Sequence, residues 1–204
     1  MSQKPLIALT FDDGPAEHTP RLLDILKNNG AKATFFIVGN LIEGGESTLK
    51  RAFQDGHEIA NHTFTHAHLT YIPKEDILTE LRSTSEALCA VTGEVPTLAR
   101  PPYGSYDESV AEAGRELGLA FINWTVNTMD WSTQNADAVH KEIMDNASDG
   151  FIMLCHDSHK STVDAMERVI PELIAKGFEL VTVSELMESF GKTLTSGELY
   201  ESAL

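Results

Sequence analysis

Two adjacent carboxylates, Asp12 and Asp13, end the apolar run that starts at Leu6, and Gly14-Pro15 follows them. A buried strand that stops against acidic side chains and a Gly-Pro turn delivers those side chains to its own end, where they can take a proton or bind a cation. Asp-Asp-Gly is also an ordinary turn sequence, so the remaining chain has to decide between the two. His62 and His66 have the i, i+4 spacing that sets two imidazoles on one face of a helical turn. Such a pair can chelate a divalent ion, and with Asp13 it makes a three-ligand set that leaves positions open for water. His68 could add a fourth ligand, but it lies six residues past His62, on a different face of such a turn. Three more reactive groups stand out: Arg100 before Pro101-Pro102-Tyr103, Asp130 before Trp131, and His156-Asp157 after Leu154-Cys155.

Each of these groups follows an expected strand. Strands are predicted at 6–9, 33–38, 58–61, 97–100, 120–126, 151–154 and 179–181. Helices are predicted from Thr19 to the Asn29-Gly30 stop, then at 48–54, 73–91, 107–117, 135–147, 162–176 (kinked at Pro171) and 184–190. Strict alternation argues a parallel sheet covered by helices, and seven or eight units argue closure toward a barrel. With 204 residues the chain is short of the ~250 typical of a full eight-fold barrel, so the expected fold is α/β, a distorted, incomplete (β/α) barrel of about seven units. Ligands in such sheets sit at the C-terminal strand ends, which makes the scattered groups neighbours in space. Residues 1–190 read as one catalytic domain and 191–204 as a polar, partly mobile tail.

Fifteen basic against thirty-one acidic residues give a net charge of −16, and no Lys/Arg cluster interrupts it, so nucleic acid and anionic membrane surfaces are disfavoured partners. No apolar stretch approaches the roughly 20 residues of a membrane span, so no membrane insertion is expected. Cys89 and Cys155 have no metal-pair spacing and read as core thiols. Met1 to Pro5 carries no charged-then-apolar leader, so the chain as numbered reads as cytoplasmic, although a removed signal peptide is compatible with it.

Thr10-Phe11-Asp12-Asp13-Gly14-Pro15, Asn61-His62-Thr63-Phe64-Thr65-His66, Arg100-Pro101-Pro102-Tyr103-Gly104, Asp130-Trp131-Ser132 and Leu154-Cys155-His156-Asp157 together resemble the five motifs of the polysaccharide deacetylase family, carbohydrate esterase family four. The closing Leu180 to Leu186 also resembles that family's last strand and helix. The resemblance implies a distorted barrel and a secreted or cell-envelope enzyme acting on an acetylated glycan or oligosaccharide. It assigns Asp13, His62 and His66 to a divalent metal, zinc first, with cobalt or nickel possible. Asp12 would be the general base beside Arg100, with adjacent strand-end residues pointing to opposite sides. The backbone N–H of Tyr103 would bind the oxyanion, aimed by Pro101 and Pro102, which have no N–H of their own. His156, oriented by Asp130, would be the general acid, and Trp131, Leu154 and Pro102 would bound the acetyl pocket. Tyr71, Phe64 and Tyr106 are candidates for stacking on sugar rings; His18 and His159 lie near the rim, and His57 and His140 read as solvated. The implied reaction is removal of acetyl from N-acetylated amino sugars in chitin oligomers or peptidoglycan, with O-acetyl ester cleavage on xylan as the alternative. A non-heme iron oxygenase, which uses the same ligand types, and a silent glycan-binding module are weaker readings.

Overall fold

The structure, a computed structural model, describes residues 4–204. Its first half runs β1 (Leu6–Gly14), α1 (Thr19–Asn28), β2 (Thr34–Ile37), α2 (Glu46–Gln54), β3 (Glu58–Asn61), α3 (Lys74–Thr92), β4 (Leu98–Ala99) and α4 (Glu108–Leu117). Then come β5 (Ala120–Ile122), β6 (Val126–Asn127), α5 (Asp130–Thr133), α6 (Ala136–Asn146), β7 (Phe151–His156), α7 (Lys160–Ala175), β8 (Glu179–Leu180), α8 (Val183–Ser189) and β9 (Leu199–Tyr200). The named strands pair in parallel, in the order β6-β7-β1-β2-β3-β4-β5-β9, with β8 beside the start of β1.

Local chemistry sets the boundaries. Asp107 and Asn135 accept backbone N–H groups at the starts of α4 and α6, and Thr182 with Glu185 forms a capping box on α8. Gly93 and Gly118 take positive φ values of 83° and 75°, which end α3 and α4 where a residue with a Cβ would be strained. Pro171 lies inside α7, which continues past it to Ala175.

The two-residue alternation of β1 divides the core. Ile7, Leu9 and Phe11 face an outer layer shared with α1 and α7, built on Leu22, Leu26, Val163 and Ile170. Ala8 faces the barrel interior with Phe36, Ala60, Ile122, Ile152 and the α8 residues Val183, Leu186 and Met187, so α8 plugs the barrel. Burying each large apolar side chain stabilises the fold by roughly 1.5–3 kcal/mol. Thr10 and Asp12 continue the inward phase of Ala8, which puts the Asp12 carboxylate at the barrel mouth rather than among the helices.

The sequence suggests one strand over 120–126. Instead β5 and β6 stand at opposite ends of the main sheet, apart from β9, with only Asn123–Thr125 between them. Four peptide steps span at most about 14 Å, so the sheet has to curl until those two ends approach. The curled sheet is the incomplete barrel that the element pattern predicts. The reading of 191–204 as a partly mobile tail needs correction: β9 pairs with β5, Ser202 bridges to Phe151, and Ala203 is buried, so the tail fills the seam. Among the described residues no helix is long and apolar enough to cross a membrane.

Candidate active site

Asp12 and Asp13 border the same cavity, not opposite sides as simple strand alternation implies. The β1–β2 register shifts between Asp12 and Gly14, and Asp13 takes φ 66°. This bulge turns Asp13 back toward the barrel mouth. Its Oδ1 lies 3.5 Å from His62 Nε2 and 3.4 Å from His66 Nε2, while Asp12 Oδ2 is 3.7 Å from His62 Nε2.

The two histidines also meet by a route other than the predicted one. They sit on an irregular loop after β3, with Thr63 and His66 at φ 63° and 60°, and their ring centroids are 5.0 Å apart. The loop is pinned from three sides. Asn61 Oδ1 accepts the Thr63 N–H, and its amide donates to Leu81 O and Ser85 Oγ on α3. Glu80, also on α3, accepts the N–H groups of Phe64 and Thr65 at 2.8 and 2.7 Å and the Thr65 hydroxyl at 2.7 Å. Gly39 and Asn40 donate to the carbonyls of Thr63 and Phe64.

Among the described residues, Asp13, His62 and His66 form the group whose ligand atoms could hold a metal ion, all within 4.8 Å of one another. The residues fit one. His62 Nδ1–H donates to the Arg100 carbonyl at 2.7 Å, which leaves a lone pair on Nε2, and burial holds the ring neutral with its pKa pushed down to about 3. Asp13 Oδ1 is buried and, among the described residues, has no hydrogen-bond partner. Lone pairs therefore converge on a point that only a cation or a proton can satisfy, and two imidazole nitrogens with one carboxylate oxygen suit zinc, cobalt or nickel. His68 is not a ligand; it stacks between Tyr71 and Tyr103.

On one side of this triad, Arg100 is fully buried and spends its guanidinium on Asp12 Oδ1 (2.7 Å), Thr10 Oγ1 (2.7 Å) and the carbonyls of Ile122 and Asn123. Burial raises the Asp12 carboxyl, and Arg100 opposes that rise. On the other side, His156 Nδ1–H donates to Asp130 Oδ1 at 2.8 Å, which leaves Nε2 free at the cavity, 4.0 Å from Asp13 Oδ2. Asp130 is buried and further accepts the His156 N–H, the Thr162 hydroxyl and the Trp131 N–H. Burial disfavours the His156 cation, but Asp130 outweighs it and lifts the imidazole pKa to about 9. The cavity encloses about 460 Å³ between Asp12, Asp13, His62, His66, Tyr103, Trp124, Asn127, Trp131, Leu154 and His156. Tyr103 adopts φ 60°, and among the described residues no backbone acceptor pairs with its N–H. Pro102 is buried behind this loop and does not line the cavity, so its expected substrate contact is withdrawn.

The family model for polysaccharide deacetylase matches residues 2–122. The chain belongs to the polysaccharide deacetylase family. It is 40% identical over 195 residues to the peptidoglycan-N-acetylglucosamine deacetylase PgdA of Listeria monocytogenes, covering 95% of this chain and 41% of that protein. It is 34% identical over 200 residues to the chitin deacetylase of Colletotrichum lindemuthianum, covering 91% of this chain and 81% of that one. A solved family 4 acetyl xylan esterase from Clostridium thermocellum, in complex with a cobalt ion, superposes with a TM-score of 0.90 at 29% identity, covering 97% of this chain and 98% of that one.

In this member of the family several residues play other parts than expected. His57 is not solvated: it is 4% exposed, packs edge-on against Phe35, and burial pushes its pKa down to about 4. It borders a second cavity of about 470 Å³ at the opposite strand ends, which among the described residues gathers no comparable ligand set. His140 is half-buried against Glu172, His18 precedes α1 without capping it, and the His159 ring lies 6.0 Å from that of His156. Tyr106 packs on Phe121 and donates its hydroxyl to the Gly197 carbonyl, and Phe64 packs over Gly39. Only Tyr71 of the three stacking candidates keeps an open ring. Trp124 and Asn127 line the cavity unanticipated, although Trp124 obeys the same strand-end rule just past β5.

Glu80 was missed, and Asp157 was named beside His156 but given no role of its own. Glu80→Ala leaves two loop amides without their acceptor, so the metal-free protein should bind zinc about 10–100-fold more weakly in competition with a chromophoric chelator; unchanged affinity would show that the loop holds itself. Asp157 is fully buried, accepts the Thr19 hydroxyl at the start of α1, and fills the space where Gly14 would otherwise carry a Cβ. Burial lifts its pKa to about 7, against the Thr19 hydrogen bond. That exceeds the ~3.9 of an unfolded aspartate, so the group's stabilisation is present at low pH and lost as pH rises between about 4 and 7. In urea unfolding of the metal-free protein, Asp157→Asn should gain up to about 4 kcal/mol relative to the parent between pH 4 and pH 8. Parallel pH profiles would refute this.

Proposed function

We propose that this protein is a metal-dependent hydrolase that removes acetyl groups from N-acetylated amino sugars in a glycan of the chitin or peptidoglycan type, with zinc as the metal. The carrying observation is the placement of a base pair and an acid pair, Asp12–Arg100 and Asp130–His156, on either side of the Asp13-His62-His66 triad in one cavity.

Asp13, His62 and His66 would hold a divalent ion, which would supply Lewis-acid polarisation of the acyl oxygen and acidify water. Asp12, held by Arg100, takes a proton from the water that attacks the acetyl carbon. The Tyr103 N–H donates to the oxygen that gains charge; Pro101 and Pro102 beside it cannot compete as donors. His156 Nε2 gives its proton to the sugar nitrogen as the C–N bond breaks, and acetate and a free amine leave. Asp130 fixes the ring so that Nε2, not Nδ1, faces the cavity. Leu154 and Trp131 wall the acetyl methyl. A glycan of this kind implies work at the cell envelope or outside the cell.

Likeness to an acetyl xylan esterase favours O-acetyl groups as a second reading, because base, oxyanion donor and pocket serve an ester equally. An alkoxide needs protonation less than an amine, so strict dependence on His156 points to the amide. A non-heme iron oxygenase leaves both flanking pairs without a task, and a silent binding module does too.

The test is acetate release from chitin oligomers, peptidoglycan and acetylxylan, with and without chelator. Release from the N-acetylated polymers that stops with chelator supports the reading; release from xylan alone would transfer it to the ester. Asp12→Asn should lower turnover about 10²–10⁴-fold while zinc stays bound, whereas His62→Ala should lose the ion itself. Full activity in Asp12→Asn would remove that residue as the base.

A further inference from the structure

An aromatic assembly leads outward from the cavity rim, and its outer rings, Tyr71 and His68, have no task in the chemistry above. Tyr71 is 81% exposed and lies flat on His68, with ring centroids 3.9 Å apart and planes 6° from parallel. His68 in turn stacks on Tyr103 at 5.1 Å, and Tyr103, 64% exposed, meets His66 edge-on at 4.9 Å. The assembly therefore runs unbroken from a triad histidine to the open surface. Its middle ring is fixed on all sides: His68 Nε2 contacts Ser105 Oγ at 3.0 Å and Nδ1 contacts Thr70 Oγ1 at 3.2 Å. Tyr71 is thus held against a braced support, with its outward face uncovered.

A large aromatic ring left to solvent forgoes the gain of burial, and a flat ring with a fixed tilt is preorganised for a flat, partly apolar ligand. Pyranose rings present such a face, since their axial C–H bonds carry slight positive charge that suits the negative face of an aromatic ring. We propose that the outward face of Tyr71 is a sugar subsite, which seats a pyranose unit of the acetylated glycan beyond the unit held in the catalytic cavity. The proposal rests on the glycan reading of that cavity and adds a chain-length preference to it. A substrate long enough to reach from the cavity past Tyr103 to Tyr71 gains a contact that a short one lacks.

The zinc-loaded protein and its Tyr71→Ala and Tyr71→Phe variants should be compared on N-acetylglucosamine oligomers of two to six units. The ratio of kcat/KM for the hexamer to that for the dimer should fall about tenfold in Tyr71→Ala, through KM rather than kcat, and stay within about twofold in Tyr71→Phe. An unchanged ratio in Tyr71→Ala overturns the subsite, and so does an equal fall in Tyr71→Phe, which would assign the effect to the hydroxyl. Calorimetric titration of the hexamer decides the same point without turnover. A protein that releases no acetate yet binds the hexamer about tenfold more weakly as Tyr71→Ala keeps the subsite and loses the hydrolase reading; equal binding by parent and variant loses the subsite.

Discussion

The buried Arg100 guanidinium is the interaction on which the rest of the site depends. It sits over the Phe36 ring at 4.0 Å and donates to Thr10 and Asp12 on β1 and to carbonyls at and just past the end of β5, while its own carbonyl accepts His62 Nδ1–H. One side chain therefore aims the carboxylate proposed as base, and the same residue's backbone selects the tautomer of a histidine in the candidate metal triad. A fully buried cation is tolerable only because every bond is supplied, and removing Asp12 or the strand-end carbonyls would strand it. This explains why β1, β4 and β5, although short or interrupted, have to end at one level.

A second constraint is backbone strain. Asp13, Thr63, His66, Tyr103 and Met129 all adopt positive φ, and all lie in or beside the cavity-lining segments. Each such conformation costs of order 1 kcal/mol or more and persists only where surroundings over-determine it. The surroundings are visible: Asn61 and Glu80 hold the histidine loop, Asn127 Oδ1 accepts the Met129 N–H, and Asp157 with Thr19 backs the turn after Asp13. Side chains on α3, at the ends of β3 and β6 and just past β7 thus supply the acceptors that keep the strained site geometry in place.

Much of the site was legible in the sequence because its members follow apolar runs, and strand ends in a parallel sheet share one rim. Asp12, Asp13, His62, His66, Arg100, Asp130 and His156 all meet there. The geometry was less legible. Period-two alternation sends Asp12 and Asp13 apart, and only the pairing with β2 reveals the bulge between them. The i, i+4 spacing of His62 and His66 suggests a helical turn, but Glu80, fourteen residues beyond His66 on α3, builds a loop instead. An acidic residue on an amphipathic helix has the look of a solvated face, which hides that function. Trp124 was hidden inside an apolar run that reads as one strand, and His57 by a polar helix end that packs inward on Phe35. The tail was misread because its turn-like composition says nothing of the seam that β9 fills.

The central claim is that Asp13, His62 and His66 alone form a preorganised cation site between a fixed carboxylate and a fixed imidazole. Crystals grown with cobalt and measured on both sides of the cobalt absorption edge test it directly. A single anomalous peak per chain is predicted at the meeting point of Asp13 Oδ1, His62 Nε2 and His66 Nε2, with Asp12 still on Arg100 and His156 still on Asp130. A peak coordinated by His68 or Asp12 in place of any of the three, or no peak at the triad, would contradict the account.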